Sequence, residues 1–393
     1  RNSAATRINK DGLIETVAVG KSRLNYPLID GVVNGCPSHL LEPSRLQKIQ
    51  YSEDFSNAAW TPANSNRVSN YGVSPTGFIN ATLIYPSSNS NNVGLYTSSS
   101  ISTTGTVSCF VKSSGKDFAL LGTDNTTNYH CVFDLANELI VAEPTNYEGK
   151  IEKYPNGWYR ISSTYVSSAA LTFPFIGVAD NSGGTVIADG NNGILIFGMQ
   201  YEHEAFPTSY IPNYGTSAGV TRVAETANGA GDASTFNDSE GVLMIEAATL
   251  VDSDTPRAIA ISDGTLNNRV YIYYTTSNVI EIGIKVLGTD QAAFSSTLTD
   301  STSFNKFIIK WKVNDFSLWV NGFEVGFDLS GSTFTANTLT ELAFDFGDGS
   351  NIFYGKTKQI QYFDSALNDS DLEKITSWTS FTDLANGQTY SIK

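Results

Sequence analysis

Apolar and polar positions alternate along most of this chain in short bursts, and turn-forming residues separate the bursts. Residues 106–112 and 158–166 alternate between apolar and polar positions, while 118–121 and 194–199 are short and apolar almost throughout. The same pattern resumes at 242–247, 269–274, 279–286, 306–311 and 316–320. A period of two over four to eight residues is the signature of a strand with one face toward a core. Asn321-Gly322 supplies the pair of positive-φ residues that a two-residue type I′ turn needs, so 316–320 and 323–325 are expected to form a hairpin. One helix is expected, at 369–375, with Asn368 or Ser370 as its cap.

These elements group into an N-terminal stretch and two modules. Residues 1–50 carry too little apolar surface for a core of their own and read as an extended connector. Residues 51–214 form a first β-sandwich. Residues 215–240, rich in Gly, Ala, Ser, Thr and Asn, read as a linker, and 241–393 form a second sandwich. The fold class expected is all-β, with two tandem antiparallel β-sandwich (jelly-roll) domains.

Composition sharpens this picture. Of 393 residues only 16% are charged while 12% are aromatic, with 19 Tyr and 22 Phe, a balance that suits half-buried pleated surfaces. A net charge of -15 would repel nucleic acid and anionic membranes, so neither is an expected partner. No apolar run approaches the roughly 18–20 residues that span a bilayer, so membrane insertion is not expected. Arg1 in place of Met reads as the start of a processed or partial chain. Cys36, Cys109 and Cys131 cannot all pair with one another and show no CxxC spacing; a Cys109–Cys131 bridge is the one pairing left open.

Candidate chemistry is sparse. Glu202, His203 and Glu204 form the densest titratable cluster, but Glu202 and Glu204 fall with Gln200 on one side of a strand, whereas glycoside hydrolysis needs two carboxyls across the scissile bond. The three histidines, His39, His130 and His203, are scattered, and no HExxH, G-x-S-x-G or Walker spacing occurs. No catalytic residue is assigned and the chain is read as a non-enzyme. Asp345, Asp348 and Asn351 crowd oxygen atoms into a Gly-rich loop, a possible calcium site without EF-hand spacing; otherwise no cofactor is expected. Glycan recognition stacks a sugar on an exposed ring beside polar groups. The residues with that promise are Trp60, Tyr96 and Tyr129 with Asp124 and Asn125, and, in the second module, Tyr271 and Tyr273 with Asp263, Asn267 and Asn268. Trp158, Trp311 and Trp319 lie within apolar strands and are expected in the core.

Several stretches resemble modular proteins of tailed-bacteriophage particles. Residues 1–15, 22–26, Cys36-Pro37 and 40–45 look like the connector that precedes their carbohydrate-binding-like modules, and 51–60 (Tyr51 to Trp60) resembles the opening of those modules. Residues 197–202, 207–212 and 220–222 resemble their closing pattern, and the resembled Gln-x-Glu belongs to the fold's last strand. In the second module, 316–322, 354–363 and 366–372 are similar to concanavalin A-like and laminin-G-like sandwiches. The resemblance implies a virion subunit of a tail fibre, spike or appendage that adheres to bacterial surface polysaccharide. It also implies other phage structural proteins as partners and a homotrimeric assembly. Two other readings stand beside it: a purely structural virion protein such as a head fibre or decoration subunit, and an accessory binding module of a polysaccharide-degrading enzyme.

Overall fold

A computed structural model describes residues 1–99, 102–123, 129–166, 173–181 and 183–378. The architecture is all-β, as the alternation predicts, and contacts divide the chain into two units. Unit 1 comprises Arg1–Gly35 and Ser44–Val223, and unit 2 comprises Cys36–Pro43 and Ala224–Lys393.

Unit 1 is built on two six-stranded antiparallel sheets. The first runs Tyr147–Tyr154, Trp158–Val166, Thr104–Ser114, Gly193–Glu202, Ile79–Pro86, Ser65–Val73. The second runs Leu139–Ala142, His130–Asp134, Phe118–Gly122, Phe175–Ala179, Val93–Thr97, Trp60–Ala63. Strand Thr104–Ser114 shows how the sequence builds the core. Val107, Cys109 and Val111 point inward to meet Leu121, Cys131 and Phe133 of the other sheet, while Phe110 points outward. Its outer face is covered too: Ile8 and Ile14, from the hairpin Ala5–Ile8/Ile14–Val17, pack with Phe110, Phe197 and Trp158. The N-terminal stretch thus supplies a covering layer, and strand Gly193–Glu202 is buried from end to end. Cys109 and Cys131 are buried free thiols and Cys36 an exposed one.

Unit 2 pairs a five-stranded sheet with a larger one. The five run Thr289–Thr297, Val279–Val286, Arg269–Thr276, Arg257–Ser262, Glu341–Ala343. The unit's other strands run Phe323–Asp328, Phe316–Val320, Asn305–Lys312, Glu240–Thr249, Gly355–Phe363, Ser38–Leu41. Leu243, Ile245, Phe307, Ile309 and Trp311 face Ile259, Ile272, Ile282 and Ile284 in one cluster, and Leu41 joins it. Asn321 and Gly322 both have positive φ, 51° and 90°, between paired residues Val320 and Phe323, so the expected hairpin is present. Helix Asp369–Thr376 is also as expected: Asn368 caps it by accepting from the Asp371 amide at 3.1 Å, and Leu372 packs on Val242, Ile308 and Trp319.

The stretch 215–240 carries more order than its composition suggests. Val220–Arg222 pairs with Arg45–Gln47 in unit 1, and Phe236 lies in the unit 2 core.

Candidate functional site

The acidic cluster at the end of strand Gly193–Glu202 is a structural junction. Gly198, at φ 64°, sits where the pairing register with Thr104–Ser114 shifts. A Cβ there would lie 3.0 Å from the Tyr210 ring. Because of that bulge Met199 and Tyr201 return to the inner core, and Gln200 and Glu202 face outward onto residues 208–211. Glu202, fully buried, accepts from the Thr208 amide at 2.7 Å, from the Thr208 hydroxyl and from Gln200 Nε2 at 2.7 Å. Gln200 Oε1 accepts from the Ile211 amide at 2.6 Å, and Arg222 donates to Thr208 Oγ1 at 3.0 Å. The opening stretch closes on the same return: the Ser52 amide donates to Asn213 O at 2.9 Å, and the Asn213 amide to Ser52 Oγ at 2.9 Å. Glu204, half exposed, lies 3.8 Å from Arg45.

Several sequence candidates for sugar stacking are corrected. Trp60 is 1% exposed: strand parity turns it inward against Phe55, and its indole N–H donates to Tyr51 O at 3.1 Å. Tyr271 is 2% exposed, its hydroxyl donating to Glu281 at 2.7 Å. Tyr271 and Tyr273 do share the outer face of their sheet, but Phe346 covers it. The Tyr273 ring stacks on Phe346 with centroids 4.3 Å apart, and the Arg269 guanidinium lies 4.0 Å from the same ring centroid on a side chain that also covers Tyr271. Asp263 and Asn268 are consumed by their own loop. Asp263 accepts from the Thr265 amide and hydroxyl and from Asn268 Nδ2, while Asn268 Oδ1 accepts from the Leu287 amide. Asn267 is exposed. Tyr129 is 39% exposed beside Tyr147. Asp124 and Asn125 lie outside the described residues.

The loop proposed for calcium is a pair of Asx turns. Asp345 accepts from the Gly347 amide at 2.7 Å. Asp348 accepts from the Ser350 hydroxyl and amide, which hold its carboxyl below the usual range although partial burial opposes them. Asn351 has φ 50°, and its carbonyl accepts from the Ala258 amide at 2.8 Å. Among the described residues no group of three or more His, Cys, Asp or Glu is placed to hold a metal ion.

Among the described residues, Tyr96 is a sequence candidate that lines a cavity. It lies directly across from Thr61 in the pairing of Val93–Thr97 with Trp60–Ala63, so both project from the outer face while Leu95 and Trp60 point to the core. The Tyr96 ring is steadied edge-on by Phe173, centroids 5.5 Å apart. Around it a cavity of about 560 Å³ opens, lined also by Lys48, Gln50, Thr61, Ser98 and Ser99. This is within the range of roughly 300–1,000 Å³ that holds small ligands. One ring ringed by hydroxyls, an amide and an ammonium can stack a pyranose and hydrogen-bond its edge. Lys48 and Gln50 come from a segment with no local signal in sequence. The polar run after residue 96 was the one legible hint.

No protein-family model and no curated protein matches the sequence. Solved structures similar to part of the chain include the CBM40 module of the Ruminococcus gnavus IT-sialidase bound to α2,3-sialyllactose, at 15% identity and TM-score 0.33, covering 39% of this chain and 97% of that one. The SAP-like pentraxin of Limulus polyphemus is similar at 12% identity and TM-score 0.30, covering 36% of this chain and 71% of that one. The NanB sialidase of Streptococcus pneumoniae is similar at 15% identity and TM-score 0.30, covering 40% of this chain and 29% of its own.

Proposed function

We propose that this chain is an adhesion subunit of a bacteriophage fibre, spike or appendage that binds bacterial surface polysaccharide through the Tyr96 cavity without cutting it. The cavity carries the reading: an aromatic ring held on the outer face of a sheet, surrounded by Thr61, Ser98, Ser99, Gln50 and Lys48, is what non-covalent sugar recognition requires. The virion setting rests on the stretches at 1–60 and 197–222 that resemble phage modules, and so does assembly as a homotrimer. Binding without hydrolysis is supported by Glu202, whose carboxylate is buried and occupied by Thr208 and Gln200.

Single sites of this kind bind weakly, and several copies on one particle raise the avidity by about 10²–10⁴. Purified chain immobilised at high density is expected to retain host polysaccharide, with no new reducing ends appearing over hours. Replacing Tyr96 with Ala is expected to weaken retention by about fivefold, in line with roughly 0.5–1.5 kcal/mol for one aromatic contact. The readouts are surface plasmon resonance and thermal melting on the same samples. Reducing ends that accumulate with wild-type chain and not with Glu202→Gln would defeat the non-enzymatic reading. Retention unchanged by Tyr96→Ala would remove the cavity from it.

A further inference from the structure

A second cavity of unit 1, of about 450 Å³, is lined by Tyr51, Glu53, Asn70, Asn80, Thr82 and Tyr214, with Asp54 at its side. It shares no lining residue with the Tyr96 cavity. Three of its features point to a ligand. Tyr214 presents a large apolar surface, 73% exposed, yet it is oriented: its hydroxyl donates to Glu53 Oε1 at 3.4 Å, and Tyr210 donates to the same oxygen at 3.1 Å. The Tyr51 ring packs against the core of the unit and lies over Gly215, where a Cβ would be only 2.9 Å from it. Asn80 also lines the wall, and its Oδ1 is enclosed there with no hydrogen-bond partner among the described residues, so a small rotation of the amide toward a ligand would gain a bond.

The charges of the lining set the ligand class. Its two charged side chains, Glu53 and Asp54, are both carboxylates, and no lysine or arginine lines the cavity. Asp54 is engaged locally, accepting from the Ser56 amide at 3.1 Å and hydroxyl at 2.5 Å. An anionic ligand would therefore meet like charges in a partly desolvated place, while the neighbouring Arg67 guanidinium is taken up by the Ser56 and Trp60 carbonyls at 3.1 and 3.0 Å. A ligand rich in hydroxyl donors meets the Asn80 amide, a glutamate and an exposed ring. Burial acts in the same sense on Glu53, whose carboxyl is raised above its ordinary value despite the two tyrosine hydroxyls.

We propose that the Tyr51–Tyr214 cavity is a second saccharide site, one that takes an uncharged sugar and rejects acidic ones. This goes beyond the Tyr96 reading and does not depend on it, and it gives one module two places to hold a polysaccharide.

The test uses the full chain and saturation-transfer NMR with a panel of neutral trisaccharides (maltotriose, mannotriose, the N-acetylglucosamine trimer) and with trigalacturonate. At least one neutral trisaccharide is expected to bind, and Tyr214→Ala and Asn80→Ala are each expected to weaken that binding by about fivefold or more. The Tyr214-dependent part of the signal is expected to persist in a Tyr96→Ala background, and trigalacturonate to give no Tyr214-dependent signal. Tyr214 is exposed, so its replacement leaves the thermal midpoint of the chain in place and the loss is readable as binding. A panel in which no neutral sugar gives Tyr214-dependent binding overturns the proposal, and so does trigalacturonate binding lost in Tyr214→Ala. Either result leaves a Tyr96-dependent signal standing, so the two sites fail separately.

Discussion

Glu202 illustrates how much the surroundings decide what a carboxylate does. A strand-end glutamate beside a histidine and a second glutamate has the composition of a reactive cluster. In the folded chain its oxygens accept from Thr208 and Gln200, and Arg222 steadies Thr208 from behind. Its replacement by Ala would leave the Gln200 amide and the Thr208 amide buried without their acceptor. An unmet buried donor costs roughly 1–3 kcal/mol, so Glu202→Ala is expected to lower stability by about 3 kcal/mol, measured as a shift in urea midpoint. A loss below about 0.5 kcal/mol would mean that the junction does not hold residues 207–212 in place.

Elements depend on such junctions through parity. Strand Gly193–Glu202 begins with Ile194 and Ile196 inward and Leu195 and Phe197 outward; the bulge at Gly198 inverts the order, so odd-numbered Met199 and Tyr201 enter the core. Without the bulge Gln200 and Glu202 would enter the apolar interior. Positive φ and the nearby Tyr210 and Phe110 rings both disfavour a side chain at 198. Gly198→Ala is therefore expected to destabilise the chain by about 1–3 kcal/mol, through strain at left-handed backbone and displacement of Tyr210. Circular dichroism melting reads this, and near-UV tyrosine bands are expected to change with it. An unchanged melt would show that the register shift does not need glycine.

On the scale of the whole molecule, unit 2 is not one continuous stretch. Residues 36–43 are flanked on both sides by unit 1, yet Ser38–Leu41 pairs with Gly355–Thr357, Leu41 enters the unit 2 core, and the Glu42 amide donates to Glu225 at 3.0 Å. A chain comprising 224–393 alone would lack the strand that pairs with Gly355–Phe363 and expose apolar surface that Leu41 covers. Its melting temperature is expected to lie below that of unit 2 in the intact protein, and a synthetic peptide of residues 36–43 added in excess is expected to raise it. If the peptide has no effect at millimolar concentration, those residues contribute nothing to the stability of unit 2.

The sequence by itself determined the strands with strong alternation, the Asn321-Gly322 hairpin, the capped helix at its end and the all-β class, because each rests on local chemistry: period-two burial, positive-φ residues, a side-chain cap. The opening and closing stretches at 51–60 and 197–222 were legible as a pattern, and tertiary structure supplied its reason, a hydrogen-bonded junction of Ser52, Gln200, Glu202, Thr208, Asn213 and Arg222. Exposure was legible for Trp158, Trp311 and Trp319, whose apolar strands mark them as core, and not for rings flanked by polar residues. Trp60 and Tyr96 sit on neighbouring strands with similar polar flanks, and only the pairing register sends Trp60 to the core and Tyr96 to the outer face. Tyr271 and Tyr273 alternate as an exposed pair would, but Phe346, more than seventy positions on, covers them. Both cavities gather residues from distant segments, Tyr51 with Tyr214 and Lys48 with Tyr96. Local sequence carries no term for such a meeting, because it is set by which strands pair and where the chain returns.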